Sequence, residues 1–112
     1  MESSQHGLAR TILLHASTAP GDVPRALAAA ERIVTAGLDV RVEVVVNGEA
    51  ITGVPGVSVG DIPTGVGLYA CQVAMTAHGV SAQDFASGVV VVSSGVVYLA
   101  ERQLDGAGYI RV

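Results

Sequence analysis

Cys71 is the residue of this sequence with the clearest potential for chemistry. It is the only cysteine in the chain and stands in the stretch GLYACQVAMTAHG, residues 67–79, where an apolar run ends and a helix-like run begins. A thiol in the first turn of a helix lies near unpaired backbone N–H groups and the positive end of the helix dipole, which both favour the nucleophilic thiolate. Because free cysteines are also among the most buried residue types, a purely structural role is the alternative.

Polar residues also follow the other apolar runs of the chain, at the points where strands are predicted to end. The carboxyl ends of parallel strands face one crevice, where ligands bind in open α/β sheets. We therefore predict Cys71 as the catalytic residue, with a substrate-binding set beside it: His15, Asn47, Gly48, Gln72 and Ser94. Asn47, Gln72 and Ser94 could equally be turn and cap residues, and His15 could simply bond a backbone carbonyl.

Apolar runs of strand length alternate with helix-like segments, which predicts βα units around a parallel sheet. We expect strands near residues 9–16, 38–46, 66–70, 88–92 and 107–112, with the second in the middle of the sheet. We expect a first helix that is capped by Asp22 and ends at Gly37, and a second that runs from Cys71 to Gly79. A short third helix is expected to begin at the capping box 81–84, and Ser94 is expected to cap a fourth. Residues 49–65 hold six Gly and Pro residues, so a short turn or two at most and a mobile loop are expected there. The whole chain, 1–112, is predicted to form one domain.

Composition narrows the possible partners. The net charge is −4 and the six cationic residues are scattered singly, which argues against nucleic acid and anionic membranes as binding partners. The apolar stretch near the N-terminus is too short for a signal peptide or a membrane span, so a cytoplasmic location is expected. Half of the residues are hydrophobic and only 14% are charged, which suggests that other subunits cover part of the surface.

Metal and cofactor sites are not expected. One cysteine and three dispersed histidines show no ligand spacing, and no phosphate-loop motif is present. His78 follows Cys71 by seven positions, roughly 10 Å along a helix, which is too far for it to act as the base for that thiol. His6 lies near the N-terminus and is expected to have no role.

Several segments, taken in order, resemble the DsrE/DsrF-like family of small sulfur-relay proteins, also called YchN-like. They are VEVVVNG at 42–48, GLYAC at 67–71, Met75, HGVSAQD at 78–84, VVVVSSGV at 89–96 and QLDGAGYIR at 103–111. The resemblance implies a three-layer α/β/α sandwich with a five-stranded, mainly parallel sheet that assembles as a homotrimer or hexamer. It also implies that Cys71 accepts sulfane sulfur as a persulfide from a donor protein or small thiol and passes it to an acceptor thiol.

Two other functions stay open at this point. One is a non-catalytic module that binds a small ligand or a protein in the same cleft; the family often has C-x-N-T/S-M/L, and the polar pair is missing from Cys71-Gln72-Val73-Ala74-Met75. The other is a redox-sensing thiol that forms a mixed disulfide. Sulfur relay, as a carrier or weak sulfurtransferase, is the first hypothesis.

Overall fold

The computed structural model describes residues 10–112 and confirms an α/β fold around one five-stranded parallel sheet. The strands are β1 Thr11–Ala16, β2 Arg41–Val46, β3 Val66–Cys71, β4 Val89–Val92 and β5 Gly108–Arg111. Their order across the sheet is β4-β3-β2-β1-β5, and every neighbouring pair is parallel. β2 therefore lies at the centre, as its almost uniformly apolar sequence predicted.

Within residues 10–112, three α-helices cover the two faces of this sheet and complete the predicted three layers. They are α1 Asp22–Thr35, α2 Gln72–His78 and α3 Gly95–Leu104. α1 and α2 pack on one face, whereas α3 lies on the other. α3 connects the two outermost strands, β4 and β5, and so passes over the middle of its face.

The predicted cap of α1 is wrong by one position. The N-cap is Gly21, and Asp22 is the first helical residue. Its carboxylate accepts hydrogen bonds from the backbone N–H groups of Thr18 and Ala19, each at 3.0 Å, and so closes the loop that enters the helix. The N–H of Ala19, with further contributions from Thr18 and Arg25, holds the pKa of Asp22 below its ordinary value despite the opposing effect of burial.

The segment between β2 and β3 is more ordered than its glycines and prolines predicted. A nine-residue 3-10 helix runs over Gly48–Gly56 and a single turn over Val59–Asp61. Ala50, Ile51 and Val54 are fully buried against the α1 and α2 face, so the segment is part of the core. Sequence reasoning weighed the helix breakers and overlooked these three apolar residues, which hold the short helix by packing.

The capping box predicted at residues 81–84 opens only one 3-10 turn. Ser81 accepts a hydrogen bond from the backbone N–H of Gln83, and the turn covers Ala82–Asp84. α2 before it ends at His78, next to Gly79, and Ser94 caps α3 by accepting from the N–H of Val97; both follow the prediction.

The sheet buries a large core on one face and a small one on the other. Eighteen buried residues from the strands, α1, α2 and the 3-10 helix form the large core. On the α3 face the buried apolar cluster consists of Leu13, Val45, Tyr69 and Leu99. The α3 face is therefore the thinner layer, and polar contacts carry a larger share of its packing.

Candidate functional site

The carboxyl ends of β1, β2 and β3 bring His15, Asn47 and Cys71 to one edge of the sheet. Val46 at the end of β2 pairs with Ala70 of β3 and with Ala16 of β1. Asn47 and Cys71 each come one residue later, so the register of the sheet places them side by side. The polar residues that follow the predicted strands indicated this cluster, and the strand order places its members next to one another.

Cys71 is both the last residue of β3 and the N-cap of α2. Its backbone is extended, and its side chain makes no capping hydrogen bond, so the sulfur does not occupy the first-turn N–H groups. The residue is 4% exposed and packs at the margin of the large core. Cys71 is thus nearly buried, and it also belongs to the lining of a small cleft.

Asn47 is held by His15 and does not act as a cap. It precedes the 3-10 helix, but its side chain makes no capping bond there. Its Oδ1 lies 2.8 Å from His15 Nε2. Because an amide oxygen only accepts, Nε2 carries the hydrogen and donates it. The amide of Asn47 is thereby fixed in one orientation.

Tyr109 of β5 extends this chain of contacts to a fourth strand. Its hydroxyl lies 2.7 Å from His15 Nδ1, and the two rings are tilted with centroids 5.7 Å apart. With a hydrogen of His15 on Nε2, the tautomer that carries no hydrogen on Nδ1 accepts there from the Tyr109 hydroxyl. Sequence reasoning missed Tyr109, because only the pairing of β5 with β1 brings it next to His15.

The first residue of α3 closes the cluster from the other side. A Cβ atom at Gly95 would stand 3.1 Å from Asn47 Cβ, 3.2 Å from Cys71 Cβ and 3.4 Å from Asn47 Nδ2. Glycine therefore lets the helix approach both side chains closely. The Asn47 amide nitrogen and Cys71 Cβ therefore both border Gly95, and Ser94, the cap of α3, precedes it in the chain.

A cleft of about 250 Å³ opens next to the thiol. Its polar lining comes from Asn47, Cys71, His78 and Ser94, and the backbone of Gly48 contributes. Its apolar wall is made of Val73, Ala74, Ala77 and Val96. The cleft has the volume of about eight water molecules, at about 30 Å³ each, and its lining includes a thiol, an amide and a hydroxyl.

Two of the predicted substrate-binding residues, His15 and Gln72, do not line the cleft. Asn47, Gly48 and Ser94 line the cleft with Cys71, and His15 stands behind Asn47. Gln72 does not line it: this side chain is exposed and donates to the Thr76 hydroxyl at 3.2 Å, one turn along the outer side of α2. His78, which helical spacing placed out of reach of Cys71 as a base, lines the same cleft. His6 lies outside the described residues.

A larger cavity, of about 530 Å³, lies between α1 and the 3-10 helix. No thiol, hydroxyl or imidazole belongs to the described residues that line it. Its two carboxylates are those of Glu31 and Asp61, and Asp61 already accepts from the hydroxyl and N–H of Ser58. We therefore place the chemistry in the smaller cleft, which holds the nucleophile.

Residues 10–112 have neither a metal-binding cluster nor a membrane-spanning helix. No group of three or more His, Cys, Asp and Glu side chains in that range is placed to bind a metal ion. None of the helices there combines the length and apolar character that crossing a bilayer requires.

Comparison with known proteins places the chain in a family. Family models give no match, and neither do curated proteins. A solved structure does match, that of the protein of unknown function MTH1491 from Methanobacterium thermoautotrophicum. The two sequences are 31% identical, the TM-score is 0.75, and the match covers 92% of this chain and 98% of MTH1491. The chain belongs to the same family as MTH1491. The relation supports the α/β fold over nearly the full length of both proteins.

Proposed function

We propose that this protein is a sulfur-relay protein in which Cys71 accepts a sulfane sulfur and passes it to another thiol. The observation that carries the proposal is that Cys71 and Asn47, whose amide is bonded to His15, line one cleft and both lie close to Gly95 of α3. A nucleophilic sulfur with N–H donors beside it is what persulfide exchange requires of a protein. The resemblance to DsrE/DsrF-like proteins points to the same reaction.

The reaction has two balanced steps. The Cys71 thiolate attacks the outer sulfur of a donor persulfide, the donor S–S bond breaks, and the donor leaves as a thiolate. A Cys71 persulfide results. The thiolate of an acceptor then attacks the outer sulfur, and Cys71 leaves as a thiolate. No external oxidant or reductant is needed, because the sulfane sulfur moves between thiols at constant oxidation state.

The protein's own groups have definite roles in these steps. The amide N–H groups of Asn47 stabilise the anionic sulfur, and His15 holds that amide in place while Tyr109 holds His15. Ser94 offers a hydroxyl at the same cleft. The low exposure of Cys71 protects the persulfide from water and stray thiols.

Exposure to a persulfide donor is expected to add one sulfur atom to the protein. Intact-mass spectrometry under non-reducing conditions measures the addition, and Cys71→Ser should gain none. A donor-derived mixed disulfide on Cys71 would support the redox-sensing alternative instead. Absence of any addition to the wild-type protein would contradict both.

A non-catalytic binding module is the second candidate. Its supporting observation is the apolar part of the cleft lining, formed by Val73, Ala74, Ala77 and Val96, together with a Gln72 side chain that bonds Thr76 and does not line the cleft. Such a cleft suits a small ligand with an apolar side. This candidate becomes the preferred one if Cys71 takes up no sulfur.

We also propose that the chain acts in the cytoplasm as a homo-oligomer, a trimer or hexamer by the resemblance. Val90 and Val91 on the edge strand β4, and Val96 and Val97 on α3, are exposed apolar side chains. An edge strand with exposed valines is a surface that soluble proteins normally cover. Sedimentation at several concentrations should give the mass of three or six chains, and a monomer throughout would contradict the proposal.

A further inference from the structure

Glu43 is a buried carboxylate that the Cys71 chemistry does not use. It lies in the central strand β2, faces α3 and is 2% exposed. Its Oε1 accepts from the Tyr98 hydroxyl at 2.7 Å and from Arg102 Nε at 3.2 Å. Its Oε2 accepts from Arg41 Nε at 3.2 Å and from the Tyr69 hydroxyl at 3.4 Å. The four donors belong to β2, β3 and α3, so this buried charge links the three elements through charge-assisted hydrogen bonds.

The two tyrosines and the arginines around Glu43 also contact one another. The Tyr69 and Tyr98 rings stack with centroids 5.0 Å apart, and the guanidinium of Arg102 lies 4.8 Å from the centre of the Tyr98 ring. Burial, followed by the hydrogen bond to Glu43, raises the pKa of Tyr98 well above its ordinary value. Tyr98 therefore remains a hydrogen-bond donor to Glu43 at physiological pH.

Gly67 of β3 leaves space for this cluster because it has no side chain. A Cβ atom there would lie 2.6 Å from Tyr69 Cε1 and 3.1 Å from Arg41 Nη2. Arg41 in turn donates to the Tyr69 hydroxyl at 2.9 Å. The Tyr69 hydroxyl and then the Glu43 carboxylate, both accepting from Arg41, raise the pKa of its guanidinium. The cluster is thus closely packed on its β-sheet side as well.

Apolar packing alone holds α3 weakly. Within Gly95–Leu104, all of which the structure describes, Leu99 is the one long side chain that is buried. Val96 is 66% exposed and Leu104 is 87% exposed. The contacts of Tyr98 and Arg102 with Glu43 therefore supply much of what fixes the helix to the sheet.

The same helix forms part of the Cys71 site. Gly95 packs against the Cβ atoms of Cys71 and Asn47, and Tyr98 lies one turn further along, with its N–H bonded to the carbonyl of Ser94 at 3.0 Å. We infer that Glu43 is a positioning residue: through Tyr98 and Arg102 it sets where α3 begins, and so how far the cleft over Cys71 opens. The carboxylate does not touch the thiol and acts only through the helix. This inference stands whether or not Cys71 carries sulfur.

Tyr98→Phe is the variant that tests this coupling most cleanly. It keeps the stacked ring and removes only the hydroxyl that binds Glu43. Alkylation of Cys71 by N-ethylmaleimide under native conditions should become roughly tenfold faster, the factor that the loss of one hydrogen bond to a charged group corresponds to. Hydrogen exchange should rise in the first turn of α3, because a less firmly held helix opens more often.

Two sets of variants separate positioning from general loss of stability. Leu27→Ala removes buried side-chain volume from α1 on the opposite face and should lower the melting temperature without accelerating alkylation. Arg102→Gln should accelerate it, whereas Arg102→Lys, which keeps a cation within reach of Glu43, should restore much of the slow rate. Alkylation of Tyr98→Phe at the wild-type rate would overturn the inference. An equal acceleration by Leu27→Ala would do so too.

Discussion

Replacing Glu43 by glutamine is expected to lower the free energy of unfolding by about 2–3 kcal/mol. Glutamine keeps the shape of the side chain but removes the charge that two guanidinium groups and two hydroxyls bind. Removing one partner of a fully buried ion pair costs about 3–5 kcal/mol. The guanidinium-bearing side chains of Arg41 and Arg102 are 52% and 31% exposed and can turn to water, so the lower figure applies here.

Urea unfolding of Glu43→Gln beside Glu31→Gln is the measurement. Glu31 is exposed on α1, and its replacement should change the free energy of unfolding by less than about 0.5 kcal/mol. Equal stabilities for the two variants would mean that the cluster around Glu43 contributes nothing net. That result would remove the basis for a polar attachment of α3.

Asn47→Asp is expected to slow alkylation of Cys71 at neutral pH by roughly tenfold or more. The substitution replaces an amide beside the thiol with a carboxylate of the same size. Two like charges about 4 Å apart repel by about 4 kcal/mol at an effective dielectric constant near 20, and the repulsion falls in proportion as their separation grows. The His15 imidazole at Oδ1 offsets part of this repulsion, so the smaller factor is the one expected.

Asn47→Leu provides the control for that variant, since it removes the amide without adding charge. It should slow alkylation less than the aspartate does, through loss of N–H donors alone. Stopped-flow alkylation with a neutral reagent measures both rates. If the aspartate variant reacts as fast as the wild-type protein, the Asn47 side chain does not act on the thiol. Asn47 would then not belong to the functional site.

The βα alternation of the sequence was enough to predict the fold. The apolar run of β2 indicated a central strand, and the polar residues after each strand indicated the edge at which the cleft lies. Residues 49–65 were misjudged because glycine and proline reduce helix propensity locally, whereas Ile51 and Val54 gain their stabilisation from distant packing partners. The neighbouring sequence does not show which distant residues those packing partners are.

The site could be predicted only in part, for the same reason. Cys71, Asn47 and Ser94 follow predicted strands and were found from that position. Tyr109 and Gly95 depend on which strand β5 pairs with and on how α3 crosses the sheet, and neither follows from periodicity. Glu43 alternates with valines in β2 and gave no signal of its own, because a charged residue within an apolar strand is ordinarily assigned to a solvent-facing position.

Transfer of labelled sulfane sulfur through Cys71 tests the central proposal most directly. The protein is loaded from a persulfide whose outer sulfur is radiolabelled, freed of donor, and mixed with an acceptor thiol. The account predicts that the label moves to the acceptor in one turnover, that Cys71 returns as a free thiol, and that Cys71→Ser transfers nothing. Label that never enters the protein, or that stays on Cys71 in the presence of excess acceptor, would contradict a relay function.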